Sequence, residues 1–219
     1  FSNAWAFNND DNASPINLWD VSAVLDMTSM FYGASVFNRN IGSWDVSSVT
    51  GITQMFYQAT AFNNGGDASI NNWNVSAVTN MNSMFSRTAF NQNIGSWNVS
   101  SVTNMYGMFY NATAFNQDIS SWNVSNVTNM SFMLGGVTLS AVNYSNLLVG
   151  WSALTLQNGV SFSGGNSKYY TGTPATARAA MIATYGWTIA DGGTQAPANF
   201  NDAATGNWNA GATWGNAGS

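Results

Sequence analysis

The hydrophobic pattern of this chain is a tandem one. Each unit reads Ile-x-x-Trp-(Asp/Asn)-Val-Ser-x-Val-x-x-Met-x-x-Met-Phe, then Ala-x-x-Phe-Asn and a short variable link. The units start at Trp19, Trp44, Trp73, Trp97 and Trp122, in steps of 25, 29, 24 and 25 residues. A tandem period of that size predicts a solenoid, in which each unit buries its apolar face against its neighbours. In the last unit Trp122 and Val124 alternate with Ser121, Asn123 and Ser125, the pattern of a short strand buried on one face. Val127, Met130, Met133 and Leu134 then fall at i, i+3, i+6 and i+7, which predicts a short helix lying apolar side down. Thr128, like Thr50, Thr79 and Thr103, is placed to cap it. The expected fold is therefore α/β, a coil with a parallel β-sheet on one face and short helices on the other.

The spacing Ile119-x-x-Trp122-x-Val124-x-x-Val127 is similar to a leucine-rich-repeat core. The wording of the whole unit, Trp-Asn-Val-Ser-Ser-Val-Thr-Asn-Met and then Met-Phe-Tyr-Asn-Ala-Thr-Ala-Phe-Asn-Gln-Asp-Ile, closely resembles the BspA-like leucine-rich-repeat surface proteins of bacteria, over about residues 1–138. The resemblance implies a leucine-rich-repeat solenoid, an extracellular or cell-surface location and an adhesive role. One departure is that Val127 and its equivalents stand where the usual leucine-rich repeat has Asn. Asn8, Asn38, Asn63, Asn91 and Asn116 form a column of their own, either bonding to the backbone of successive turns or capping surface bends.

Residues 1–138 are read as the solenoid, residues 139–192 as a C-terminal αβ cap, and residues 193–219 as a linker and the start of a further β-rich module. In the cap, helices are expected over 143–154 and 174–185 and strands near 160–162 and over 187–190, with Gly186 at the second helix's exit. The stretches at 147–151, 164–167 and 185–189 also resemble the segment that ends such arrays. Two long links, 9–15 and 64–69, are expected to loop out without breaking the stack. Because residues 1–8 align with 109–116, the chain is read as a fragment starting inside a unit.

Charged residues make up only 6% of the chain, so Asn, Ser, Thr and Gly must carry the polar surface. A net charge of −5 argues against nucleic acid, and no apolar run is long enough to insert in a membrane. There is no His and no Cys, which excludes zinc sites of the usual kind, Ser-His-Asp triads and Cys-His dyads. The Trp column and the Met residues at 27, 30, 55, 81, 84, 105, 108, 130 and 133 are read as core.

What remains is the outward strand positions. Asp20, Asp45, Asn74, Asn98 and Asn123 form one column and Ser22, Ser47, Ser76, Ser100 and Ser125 another, expected as a grid of hydrogen-bonding groups on an exposed β-face. Such a grid suits recognition of an extracellular glycan or protein, or is simply a solvated face. The reading is a non-enzymatic binding and adhesion module beside neighbouring modules of the same chain, with a structural stalk or self-associating fibre segment as the alternative. Glycoside hydrolysis by Asp20 and Asp45 is the remote one, since a flat sheet offers neither cleft nor raised pKa. No cofactor is expected, although the carboxylates of Asp20 and Asp45, or those in the loops at Asp10, Asp11 or Asp67, permit a weak Ca²⁺ site. Asn-x-Ser triplets such as 74–76 are by-products of the repeat rather than glycosylation signals.

Overall fold

The computed structural model describes residues 15–197, and it is not the leucine-rich-repeat solenoid expected from periodicity and resemblance. Two α-helices and four short strands are found among the described residues: α1 (Ala141–Ser152), β1 (Ser161–Ser163), β2 (Tyr169–Tyr170), α2 (Thr173–Tyr185), β3 (Thr188–Ala190) and β4 (Thr194–Gln195). The strands form two separate two-stranded parallel sheets, β1 with β3 and β2 with β4. All of these elements follow residue 140. Among the described residues the repeats hold only turns, 3-10 segments and single bridges, so there no β-sheet lines one face, no row of helices lines the other, and no solenoid is closed.

The reason the helices fail to form is a left-handed residue inside each segment that reads as helical. Ser29, Gln54, Ser83, Gly107 and Phe132 all have positive φ, and so do Gly33, Gln58, Arg87, Asn111 and Gly136, four residues further on. An L-residue helix cannot run through such positions. The chain instead makes consecutive β-turns, with the amides of Met30, Met84, Met108 and Met133 donating to the carbonyls of Met27, Met81, Met105 and Met130 at 3.1–3.2 Å. A β-turn also places residues i and i+3 close together, so the apolar spacing read as helical belongs equally to turns.

The orphaned amides find partners in the next unit. Those of Met27, Ser29, Phe31 and Gly33 donate to the carbonyls of Gly51, Thr53, Met55 and Tyr57 at 2.7–2.9 Å. The same ladder recurs from Met105, Gly107, Phe109 and Asn111 to Asn129, Ser131, Met133 and Gly135. Parallel bridges join Asp26 to Gly51, then Asn80, Asn104 and Asn129, and Met130 to Phe162 of the C-terminal unit. The Thr column does not cap helices but stitches units together: Thr50 Oγ1 donates to the carbonyl of Leu25 at 3.2 Å and Thr128 Oγ1 to that of Thr103 at 3.1 Å.

Inside the stack run two columns of Phe rings. Phe31, Phe56, Phe85 and Phe109 stack at 5.5–5.7 Å, and each lies within about 4 Å of the next Phe of its own unit, as in Phe85–Phe90 at 4.0 Å. The Trp and Met residues are core as expected, although Trp19 and Met30 are only partly buried. Each buried indole also bonds: Trp44, Trp73, Trp97 and Trp122 donate Nε1–H to the carbonyls of Ile16, Ile41, Ile70 and Ile94 of the preceding unit at 2.8–3.1 Å. Trp151 of α1 repeats that bond on Ile119 at 3.3 Å, which seats the C-terminal unit on the fifth repeat.

The Asn column bonds to the backbone rather than capping bends. Asn38, Asn63, Asn91 and Asn116 each accept, through Oδ1, the amide of Asn63, Asn91, Asn116 and Ser140 in turn, all at 2.8 Å; Asn8 lies outside the described residues. Asn91→Ala should therefore cost about 1–2 kcal/mol by leaving an inter-repeat amide unpaired, whereas Asn74→Ala, at an exposed side chain that bonds only to the half-buried Ser76, should change the urea midpoint little. Equal midpoints for the two variants would show that the ladder adds nothing.

In the C-terminal unit, α1, α2, β1 and β3 fall within a few residues of the expected spans, and Gly186 ends α2 in the left-handed conformation. The stretch beyond residue 192, expected as linker, contributes β4 to a pair with β2; the module expected from residue 198 onward lies outside the described residues. The link at 64–69 does not simply loop out. Asn64 is fully buried, with Oδ1 accepting the Ile41 amide at 2.8 Å and Nδ2 donating to the Asp67 carbonyl at 2.7 Å.

Candidate functional site

The ten residues of the expected binding face do lie along one edge of the stack, exposed or half-buried, but not on a β-sheet. After each Trp-x-Val the chain turns at once, the amides of Val24, Val49, Val78, Val102 and Val127 donating back to the preceding Val at 2.9–3.0 Å. Each acidic or amide side chain there is turned onto its own unit. Asp20, Asp45, Asn74, Asn98 and Asn123 accept the amides of Ser22, Ser47, Ser76, Ser100 and Ser125 at 3.0–3.2 Å, and the hydroxyls of Ser22, Ser76 and Ser100 donate to the same oxygens at 2.6–2.7 Å. These are Asx-turns, which spend one acceptor per residue on local geometry.

The bonds from Ser22 and Ser47 hold the carboxyls of Asp20 and Asp45 below the usual carboxylate range. Both are therefore ionised at neutral pH, the opposite of what a general acid needs. Asp67 is likewise held low by the Ser69 hydroxyl and amide. Among the described residues no three acidic side chains come together as a metal cluster; Asp10 and Asp11 lie outside them.

A different surface has the shape of a site. On the face made by the Met turns there is a groove of about 470 Å³, lined by Gln54, Tyr57, Asn82, Ser83, Ser86, Tyr106, Gly107, Tyr110 and Phe132. Its floor is made of small buried residues, Ser83, Ser86 and Gly107. Around it stand rings, with Tyr106 38% and Phe132 53% exposed. Phe132 meets Tyr106 and Tyr110 edge-on, with centroids 5.6 and 6.0 Å away. Gly135 makes room for this arrangement, because a Cβ there would stand 3.0 Å from the Tyr110 ring.

The groove exists because the units differ where they otherwise repeat. The column Tyr32, Tyr57, Ser86, Tyr110, Gly135 has two small members, and Ser83 and Gly107 sit beside it where Phe132 occupies the next turn. Large rings flank a gap one side chain deep. The side-chain amides of Gln54 and Asn82 and the hydroxyls of Tyr57, Tyr106 and Tyr110 form no hydrogen bond among the described residues. In contrast to the Asp/Asn column, this polar capacity is unspent. Among the described residues no Asp, Lys or Arg lines the groove; Arg87 lies at its rim, its guanidinium 6.0 Å above the Tyr110 ring. All nine lining residues occupy positions the repeat consensus leaves unspecified or satisfies with variable residues, and unit-to-unit variation there is the one sequence signal that points to them.

The family described as Mycoplasma protein of unknown function, DUF285, matches the chain twice, over residues 1–87 and 67–147. The two matches together span the repeats and end inside α1. No curated protein and no solved structure matches.

Proposed function

The chain belongs to that family, DUF285, and we propose that it is a non-catalytic binding module that works outside the cell and holds a polar polymer in the groove on its turn face. The observation that carries this reading is the set of exposed rings interleaved with unspent amides and hydroxyls around a preformed depression, the usual make-up of a recognition site. The absence of His, Cys and Glu from the sequence, and of acidic side chains from the groove, supports a role without chemistry. The extracellular setting is supported by the resemblance of the repeat wording to bacterial surface proteins, and the low charge favours uncharged partners over nucleic acid.

Solid-phase binding of the whole chain to a panel of polysaccharides and extended polypeptides tests this. The double substitution Tyr106→Ala, Phe132→Ala is expected to weaken capture of whichever polymer binds by tenfold or more, about 1.4 kcal/mol. Asn98→Lys with Asn123→Lys, on the Asp/Asn column, should leave it within about twofold. The reverse ranking, with both variants folded by circular dichroism, would move the binding surface to that column.

A further inference from the structure

We propose that the polymer the groove takes is a neutral carbohydrate chain. This rests on the groove being the binding surface, and it follows from what each class of ligand would find there. A peptide that adds to a protein as a further strand does so through free backbone groups. Here eight of the nine lining backbone amides are already spent: those of Gln54, Ser83 and Gly107 on the carbonyls of Asn82, Tyr106 and Ser131, and those of Asn82 and Tyr106 on the side chains of Asn80 and Asn104. The amides of Tyr57, Ser86 and Tyr110 donate to Gln54, Ser83 and Gly107. A peptide main chain has no donor row to pair with.

An anionic polymer fares no better. No cationic side chain lines the groove, the molecule carries a net charge of −5, and the rim holds the single guanidinium of Arg87. A uronate or phosphate would exchange its hydration for no ion pair and approach against the field of the whole molecule.

A sugar finds matching chemistry. Its hydroxyls both donate and accept, as do the two free carboxamides and three free phenols. Its flat C–H faces suit the rings of Tyr106, Tyr110 and Phe132, which carry apolar area with a polar edge. The volume of about 470 Å³ holds a short stretch of such a chain rather than one unit.

The test is affinity gel electrophoresis of the whole chain through soluble neutral glucan, galactan, mannan and xylan, with polygalacturonate and gelatin in parallel gels, repeated by calorimetry at 20 and 500 mM NaCl. The expected result is retardation by at least one neutral polysaccharide, with a Kd unchanged by salt and raised at least tenfold by Phe132→Ala. Binding to polygalacturonate or gelatin that Phe132→Ala abolishes would overturn the carbohydrate assignment while keeping the groove. Binding of any kind that ignores Phe132→Ala and Tyr106→Ala would remove both. Failure of every neutral polysaccharide to retard the chain also overturns the assignment.

Discussion

Phe85→Ala is expected to destabilise the repeat stack by about 3–5 kcal/mol, the range for truncating a fully buried Phe. Phe85 touches five aromatic neighbours: Phe56 and Phe109 in the units on either side at 5.5 and 5.7 Å, Phe90 of its own unit at 4.0 Å, Phe62 at 6.3 Å and Trp97 at 6.2 Å. The cavity cannot collapse easily, because the flanking rings are fixed by backbone bonds that run from unit to unit: the Phe85 amide itself donates to Met108 at 2.9 Å and the Phe56 amide to Met84 at 2.9 Å. Phe85 sits in the third of five units, so its loss weakens two interfaces at once, and stability of a stack is close to a sum of unit and interface terms. Urea unfolding followed by Trp fluorescence measures the change, with the exposed Phe132→Ala as the reference variant. A shift for Phe85→Ala no larger than for Phe132→Ala would mean that the ring columns are not what holds the units together.

What could be read from the sequence follows the range over which the deciding physics acts. The unit length, the Trp, Val, Met and Phe core and the recurrence of the Asn column were legible because they depend only on residues recurring in register; that the column bonds to the backbone of the next unit was decided only by the stack. Both helices of the C-terminal unit were legible because their signals are local, as at Pro174 and Gly186. The turns of the repeats were not. Gln54, Arg87, Asn111 and Phe132 take the left-handed conformation without being Gly, at a cost of about 1 kcal/mol each. That cost is offset by inter-unit bonds such as Asn111 to Gly135 at 2.7 Å, which no single unit's sequence reveals. The strand reading failed at Trp-Asn-Val-Ser for a related reason, since Asn and Ser satisfy the backbone locally and end the strand after Val. The groove was hidden among variable positions: Tyr57, Ser86 and Tyr110 are unremarkable singly and form a site only when the stack sets them side by side.

The C-terminal unit depends on one carboxylate in the way the repeats depend on their rings, and Asp191→Ala should destabilise that unit by about 3 kcal/mol. Asp191 has a side chain only 3% exposed and receives the Arg178 guanidinium of α2 at 2.7 Å and the Tyr144 hydroxyl of α1 at 2.9 Å on one oxygen. The Gly193 amide, leading into β4, donates to the other at 3.1 Å. Arg178 also donates to the Ile189 carbonyl at 2.8 Å and lies over the Tyr169 ring of β2 at 5.6 Å. Removing the carboxylate leaves a largely enclosed cation and a buried hydroxyl without their partner, and that loss exceeds the net worth of the pair itself. Asp191→Asn, which keeps an acceptor for Tyr144 and loses only the charge, should cost less. The same arrangement sets the response to alkali. Burial first, and the neighbouring Asp191 carboxylate second, push the ionisation of Tyr144 well above the ordinary tyrosine range. Above about pH 10 the unfolded chain releases a proton that the folded chain keeps, so stability must fall with rising pH there. Hydrogen exchange of α2 amides, read at neutral pH for wild type and both Asp191 variants and again above pH 10 for Tyr144→Phe, separates the two effects. Exchange in α2 that is no faster in Asp191→Ala than in Asp191→Asn would show that the helices are held by packing alone.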